Sequence, residues 1–218
     1  MLKISTLSAA YRKDYPIIEN ISLNVKKGER IAITGRNGAG KSTFAKAIMK
    51  LTPFVSGGLF YKQTDLMRLE VHQYVDQGIG YFAQDGLVFP NLSVKENLEV
   101  ALRGSDKDLL QQKIDKFSRL FINIDEQNFL KQKAGNLSGG ERNMLALSMV
   151  MCSNPSLLIL DEPFAGISPN NVKMISSFLD ECIKESSCSM ILIDQNQKVI
   201  EELCDKVYIL KDKKLFAL

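Results

Sequence analysis

The amino-acid sequence predicts an α/β fold with a parallel-sheet core, and three observations carry that reading. Short apolar, β-rich runs recur at residues 30–34, 78–82, 156–160, 189–193 and 206–210. Stretches of helical spacing lie between them, the pattern of a parallel sheet covered on both faces. The first of these runs enters a glycine-rich segment, residues 35–42, which leads straight into a helical pattern.

In chain order, Met1-Leu2-Lys3-Ile4-Ser5-Thr6 alternates apolar and polar residues and predicts a strand, with no apolar stretch of signal-peptide type. Residues 17–25 alternate in the same way, Lys27-Gly28-Glu29 reads as a turn, and residues 30–34 form the strand that feeds the glycine-rich loop. A helix is expected from Lys41 to about Lys50, stopping ahead of Pro53. Between residues 106 and 121, Leu109, Leu110, Ile114, Phe117, Leu120 and Phe121 fall at helical spacing, and residues 141–151 form a largely apolar helical stretch. No repeat or low-complexity linker divides the chain. The expectation is one domain over residues 1–218, with a core from 1–84 and 151–218 and a helical subdomain over about 85–150.

At 218 residues, 45% hydrophobic and 24% charged, the chain has the composition of an ordinary globular domain able to bury a substantial core. Lys plus Arg outnumber Asp plus Glu by only 28 to 25, which argues against a nucleic-acid partner. Cys152, Cys182, Cys188 and Cys204 lack metal-site spacing and are expected to be reduced thiols. Apolar runs such as residues 157–160 and 190–193 fall far short of the ~20 residues of a membrane helix, so any membrane role has to come through a partner. His72, the one histidine, is expected to face solvent.

Gly35-Arg36-Asn37-Gly38-Ala39-Gly40-Lys41-Ser42 fits the phosphate-binding pattern GxxxxGK[ST] between a strand and a helix. In such a loop, glycines let backbone N–H groups wrap the phosphates. Lys41 is expected to reach the β- and γ-phosphates and Ser42 to ligate Mg²⁺. Leu157-Leu158-Ile159-Leu160-Asp161-Glu162 is the companion, an apolar strand ending in acids where open α/β sheets bind ligands. Asp161 is then a Mg²⁺ holder, and Glu162 is placed to polarise the water that attacks the γ-phosphate.

Kinases and GTPases share those two elements, and the discriminating segment is Leu137-Ser138-Gly139-Gly140-Glu141. It reads equally as a helix N-cap with a capping box, Ser138 answered by Glu141. With it, the chain resembles an ABC-transporter ATPase, the P-loop NTPase family whose LSGGQ signature caps the γ-phosphate held by the opposite subunit. The likeness covers essentially the whole chain and implies a mixed-sheet core with an inserted helical subdomain and an N-terminal antiparallel β portion. It implies ATP and Mg²⁺ as cofactors, held by Arg36, Asn37, Gly38, Ala39, Gly40, Lys41, Ser42 and Thr43, and across the dimer by Ser138, Gly139 and Gly140. It also matches Tyr11 to the aromatic that stacks on adenine, with Tyr15 close enough to compete. Gln84, in Gly80-Tyr81-Phe82-Ala83-Gln84, matches the glutamine that contacts Mg²⁺ or the water. Metal-holding residues would then be Ser42, Gln84 and Asp161, and catalytic residues Glu162, Gln84 and Gln195.

Two positions depart from the family pattern: Ser168 stands where an Asp is usual, and Gln195 where most members carry a switch His. Residues 78–81 and 88–98, with Asp194-Gln195-Asn196, are similar to branched-chain amino-acid importer ATPases. Residues 161–167 and 203–210 are similar to the ATPase of lipopolysaccharide export. The implied partners are a second ABC ATPase subunit, identical or closely related, and transmembrane permease subunits, which place the chain on the cytoplasmic face of a membrane. Alternatives are a non-transport ABC ATPase, such as one serving iron–sulfur cluster assembly, and a small-molecule kinase. Leu87, Val88, Phe89 and Leu92 form either a groove for a partner helix or packed core.

Overall fold

The structure, a computed structural model, describes residues 1–84, 86–102, 107–118 and 126–218. Strands β1 (Leu2–Arg12) and β2 (Tyr15–Val25) pair antiparallel, β3 (Arg30–Thr34) enters the core, and α1 (Lys41–Ile48) follows the glycine-rich loop. β4 (Phe54–Tyr61) and β5 (Thr64–Asp65) come next, then α2 (Gln73–Asp76) and β6 (Ile79–Phe82). Helices α3 (Val94–Ala101), α4 (Lys107–Ser118) and α5 (Glu126–Lys131) lead through a 3₁₀ turn (Ala134–Asn136) into α6 (Gly139–Cys152). The chain closes with β7 (Leu157–Asp161), α7 (Pro169–Ser186), β8 (Ser189–Ile193), α8 (Gln197–Leu203), β9 (Lys206–Lys211) and β10 (Lys214–Ala217).

Two sheets result. The N-terminal sheet is antiparallel in the order β2-β1-β4-β5. The larger sheet runs β10-β9-β3-β8-β7-β6, parallel except for β10 at its edge, so it is mixed as the resemblance implied. Its register decides where chemistry happens: Ile193 pairs with Ile33 on one side and Asp161 on the other. The carboxyl ends of β3, β7 and β8 therefore end together, where ligands of open α/β sheets bind.

Alternation along these strands divides the core. Ile31, Ile33, Leu157, Ile159, Ile191 and Ile193 pack with Phe44 and Ile48 of α1 and with the N-terminal sheet. Leu158, Leu160, Met190 and Leu192 face the opposite way, onto side chains of α3, α6, α7 and α8. Each buried Leu or Ile contributes about 1.5–3 kcal/mol, so the sheet is clamped from both faces.

Several boundaries differ from the sequence reading. β1 runs to Arg12, well beyond residue 6, and α1 ends at Ile48 because Lys50 turns into the left-handed region at φ 53. The helix expected from residue 141 begins at Gly139, since Ser138 caps it. In α4, Ile114 is buried as expected. The side chains of Leu109, Leu110 and Phe117, and residues 106, 120 and 121 altogether, lie outside the described residues.

The four cysteines are free; Cys152, Cys182 and Cys188 are buried and Cys204 is partly so. Burial pushes the thiols of Cys152, Cys188 and Cys204 up to about 12, which leaves them unreactive at neutral pH. His72 is exposed ahead of α2. Among the described residues no helix is long and apolar enough to cross a membrane.

Candidate active site

The loop between β3 and α1 is shaped by its glycines. Gly35 has φ +149, and a Cβ there would come within 2.5 Å of the Leu210 carbonyl oxygen in β9. Gly40, at φ +101, is the N-cap of α1 and presses on Ile17, where an added Cβ would lie 3.0 Å from Cγ2. No side chain caps α1. Its first N–H groups and its positive dipole end are thus turned toward the loop, the arrangement that binds phosphate.

That loop borders a cavity of about 470 Å³ lined by Asn37, Gly38, Gly40, Lys41, Ser42 and Thr43. Tyr11, Ile17, Gln84 and Glu162 complete the lining. Tyr15, the competing aromatic, is 71% exposed and does not line it. Arg36 and Ala39 lie on the other side of the loop, against Ile209, Leu210, Lys211 and Asp212.

Lys41 is 4% exposed and donates to the carbonyls of Gly35 at 3.0 Å and Arg36 at 3.3 Å, with Glu162 Oε1 3.7 Å away. Its ammonium is held at the mouth of the loop. Ser42 Oγ donates to Asp161 Oδ1 at 2.9 Å, while Asp161 Oδ2 is buried without a hydrogen-bond partner. Burial is the main influence on Asp161 and pushes its pKa up; the Ser42 bond and, more weakly, Lys46 and Lys41 pull it down. A buried carboxylate oxygen with nothing to bind is costly unless a cation completes it.

Glu162 follows β7 in a left-handed conformation, φ 50, which a non-glycine residue adopts at an energetic cost. Its N–H donates to the Ile193 carbonyl at 2.8 Å, and Gln84 Nε2 donates to its Oε2 at 3.2 Å. The backbone is thus fixed to the end of β8, and Gln84 holds the carboxylate toward the cavity. Gln195, just beyond β8, donates through Nε2 to Asn37 Oδ1 at 2.6 Å. Sequence reasoning missed Asp194: its buried Oδ1 accepts from the N–H groups of Gln195 at 2.7 Å and Asn196 at 2.8 Å, fixing the turn that presents Gln195. Burial pushes its pKa up too, against those two bonds. An Asp at a strand end followed by a polar pair is the signal that could have found it. Ile17 was missed as well, since a β-branched residue in a strand reads as core.

The structure does not bring the signature to this cavity. Ser138 caps α6: its Oγ accepts from Glu141 N at 3.3 Å, and Glu141 Oε2 accepts from Ser138 N at 2.8 Å. A Cβ added to Gly139 or Gly140 would meet nothing within 4 Å. Ser168 is the N-cap of α7 with Pro169 at the first helical position. Leu87 and Phe89 are exposed, while Val88 packs on the core and Leu92 is half-buried, so the packed-core reading holds for only part of the segment.

A phosphate loop, an acid at the end of the neighbouring strand and a carboxylate beyond it define the class: a P-loop nucleotide hydrolase. The model of the ABC transporter family matches residues 18–165. The chain is 35% identical over 96% of its length to the probable branched-chain amino acid transport ATP-binding protein LivF of Archaeoglobus fulgidus, covering 88% of that protein. It is 30% identical to the lipopolysaccharide export system ATP-binding protein LptB of Escherichia coli, over 99% of this chain and 89% of the relative. A dimeric ATP-binding cassette bound to ADP and Pi shares the fold at a TM-score of 0.88 and 20% identity, over 99% of this chain and 96% of that one. The chain belongs to the ABC transporter family, as an ATP-binding, ATP-hydrolysing subunit. The relatives' transport names favour this over a non-transport assembly ATPase or a kinase.

Proposed function

We propose that this chain is one half of a two-cassette motor, identical or related in its halves, in which each phosphate loop is completed by the partner's signature. One observation carries it. Gly139 and Gly140 occupy the first turn of α6, with no positive φ and open space where a Cβ would be. Glycine in a helix costs about 0.5–1 kcal/mol relative to alanine, and nothing among the described residues requires it there. What requires it is a phosphate approaching from outside, closer than a Cβ would permit, onto N–H groups at a helix N-terminus.

In this reading Tyr11 and Ile17 flank the base and Lys41 neutralises the phosphates. The loop of residues 36–43 cradles them with backbone N–H groups and with those of its side chains that line the cavity. Mg²⁺, when bound, supplies charge compensation on the phosphates. Ser42 and the unpartnered Asp161 Oδ2 suit it, with Gln84 at the edge, because Mg²⁺ takes few protein oxygens and keeps its waters. Glu162 accepts a proton from the attacking water, Gln84 holds its second oxygen, and Gln195 orients the γ-phosphate. Closure of the two halves would be passed to membrane-spanning permease subunits, for which exposed Leu87 and Phe89 offer an apolar footing, keeping the chain on the cytoplasmic face.

Glu162→Gln tests this. It should retain ATP, stop hydrolysis and accumulate an ATP-bound dimer, measured by light scattering. Hydrolysis at the wild-type rate would remove Glu162 from the catalytic role.

A further inference from the structure

Asn97 is fully buried, the one side-chain amide so placed among the described residues. It lies on α3, away from the nucleotide cavity, and its hydrogen bonds all go to the backbone of the segment before its helix. Its Oδ1 accepts from Phe89 N at 2.7 Å, and its Nδ2 donates to the carbonyls of Phe89 at 3.1 Å, Ser93 at 2.9 Å and Leu92 at 3.4 Å. A buried amide with those partners sets the path of residues 89–93, since moving the loop would strand several polar groups at once.

The same loop is bonded on its other side to the turn ahead of the signature. Ala134 N donates to the Leu92 carbonyl and Gly135 N to the Pro90 carbonyl, each at 2.9 Å, while Val94 N donates to Gln132 O at 2.9 Å. The approach is close: a Cβ on Gly135 would lie 3.0 Å from the Pro90 oxygen. From that turn Leu137, itself buried, leads directly into Ser138. Four steps thus join α3 to the signature: Asn97, the loop of residues 89–93, the turn of residues 134–136, and Ser138.

We propose that Asn97 is a positioning residue for the signature, acting through this loop to hold Ser138, Gly139 and Gly140 at the angle at which they meet the partner's nucleotide. The inference rests on the two-cassette reading above. Asn97 touches no substrate. Its loss should leave ATP binding by one chain intact and weaken only the closed pair.

The test uses the full chain in the Glu162→Gln background, measuring ATP affinity on the monomer and ATP-dependent dimerisation by light scattering. Asn97→Leu, which keeps the branching at Cγ but has no polar atoms, should leave ATP affinity within about twofold and weaken dimerisation about tenfold or more. Gly135→Ala disturbs the same junction from the other side without touching Asn97 and should act in the same direction; it serves if Asn97→Leu fails to fold. Asn97→Asp should be defective at neutral pH, where its carboxylate faces three carbonyls, and should recover relative to its parent as pH falls and it regains a donor. Dimerisation of the folded Asn97→Leu chain at parental strength, or a matching loss of ATP affinity, overturns the proposal. Absence of a dimer in the parent Glu162→Gln chain overturns the two-cassette reading and this inference together.

Discussion

Ser42 and Asp161 meet through one hydrogen bond of 2.9 Å, which ties the first turn of α1 to the carboxyl end of β7. The carboxylate is wholly buried, and its second oxygen has no hydrogen-bond partner. Burial of an unpartnered charged oxygen works against stability.

Asp161→Asn should therefore stabilise the metal-free fold by about 1 kcal/mol at neutral pH in urea titrations, while abolishing Mg²⁺-dependent hydrolysis. The shape and the Ser42 bond survive, and the charge does not. The pH dependence has a definite sign. A carboxyl whose pKa rises on folding favours its neutral form in the folded chain, so wild type loses stability as pH climbs from about 4 through the raised value. The gap between variant and wild type should open over that window and close below it. A variant less stable than wild type at pH 7 would show the charge to be compensated.

Lys41→Ala should lower ATP affinity by tenfold or more, equivalent to at least about 1.4 kcal/mol, because it removes the cation at the mouth of the loop. Lys41 also donates to the Gly35 and Arg36 carbonyls, so the loop loses an internal tie. Calorimetric titration with nucleotide checks this, and affinity within about twofold of wild type contradicts it.

Gly140→Ala separates stability from assembly. The position accepts a Cβ without contact, so the isolated chain should gain up to about 0.5–1 kcal/mol through the smaller backbone entropy of its unfolded state. ATP-dependent dimerisation in the Glu162→Gln background should weaken in the same variant. A chain that is both more stable and fully able to dimerise would show that nothing approaches the signature closely.

The parallel strands and the phosphate loop were legible because their signals are local: apolar runs of five, glycines at fixed spacing, a helix behind them. β4 was not, because Ser56-Gly57-Gly58 breaks its pattern. Gly57 is there for a long-range reason, since at φ +109 its bare Cα lets β4 approach Thr6, whose carbonyl oxygen an added Cβ would meet at 2.5 Å. α7 has a readable start in Ser168-Pro169, an N-cap followed by Pro at the first helical position. In the candidate site, residue types at the strand ends could be read, but the meetings of Gln84 with Glu162 and of Asn37 with Gln195 depend on sheet register between distant segments.

Gln195 is where that register matters most. Asp194 pins the backbone of Gln195 and Asn196, and the amide of Gln195 reaches Asn37 at 2.6 Å, so the end of β8 is tied to the phosphate loop across the β3–β8 pair. An amide both donates and accepts, which suffices to orient a phosphate and a water, but it cannot become a cation in the physiological range as histidine can. Gln195→Ala should slow turnover by roughly ten- to a thousandfold, the range for loss of a positioned transition-state donor, while ATP affinity stays nearly intact. Gln195→His should keep activity and add a pH dependence near the imidazole pKa, about 6.5, that the native chain lacks. Asn37→Ala should release the tie and lower turnover in the direction of Gln195→Ala. Steady-state ATPase rates across pH, compared with nucleotide affinity for each variant, read these effects separately. If Gln195→Ala turns over like wild type, the contact with Asn37 is only a polar surface pair at a strand end, and the switch role passes to another residue.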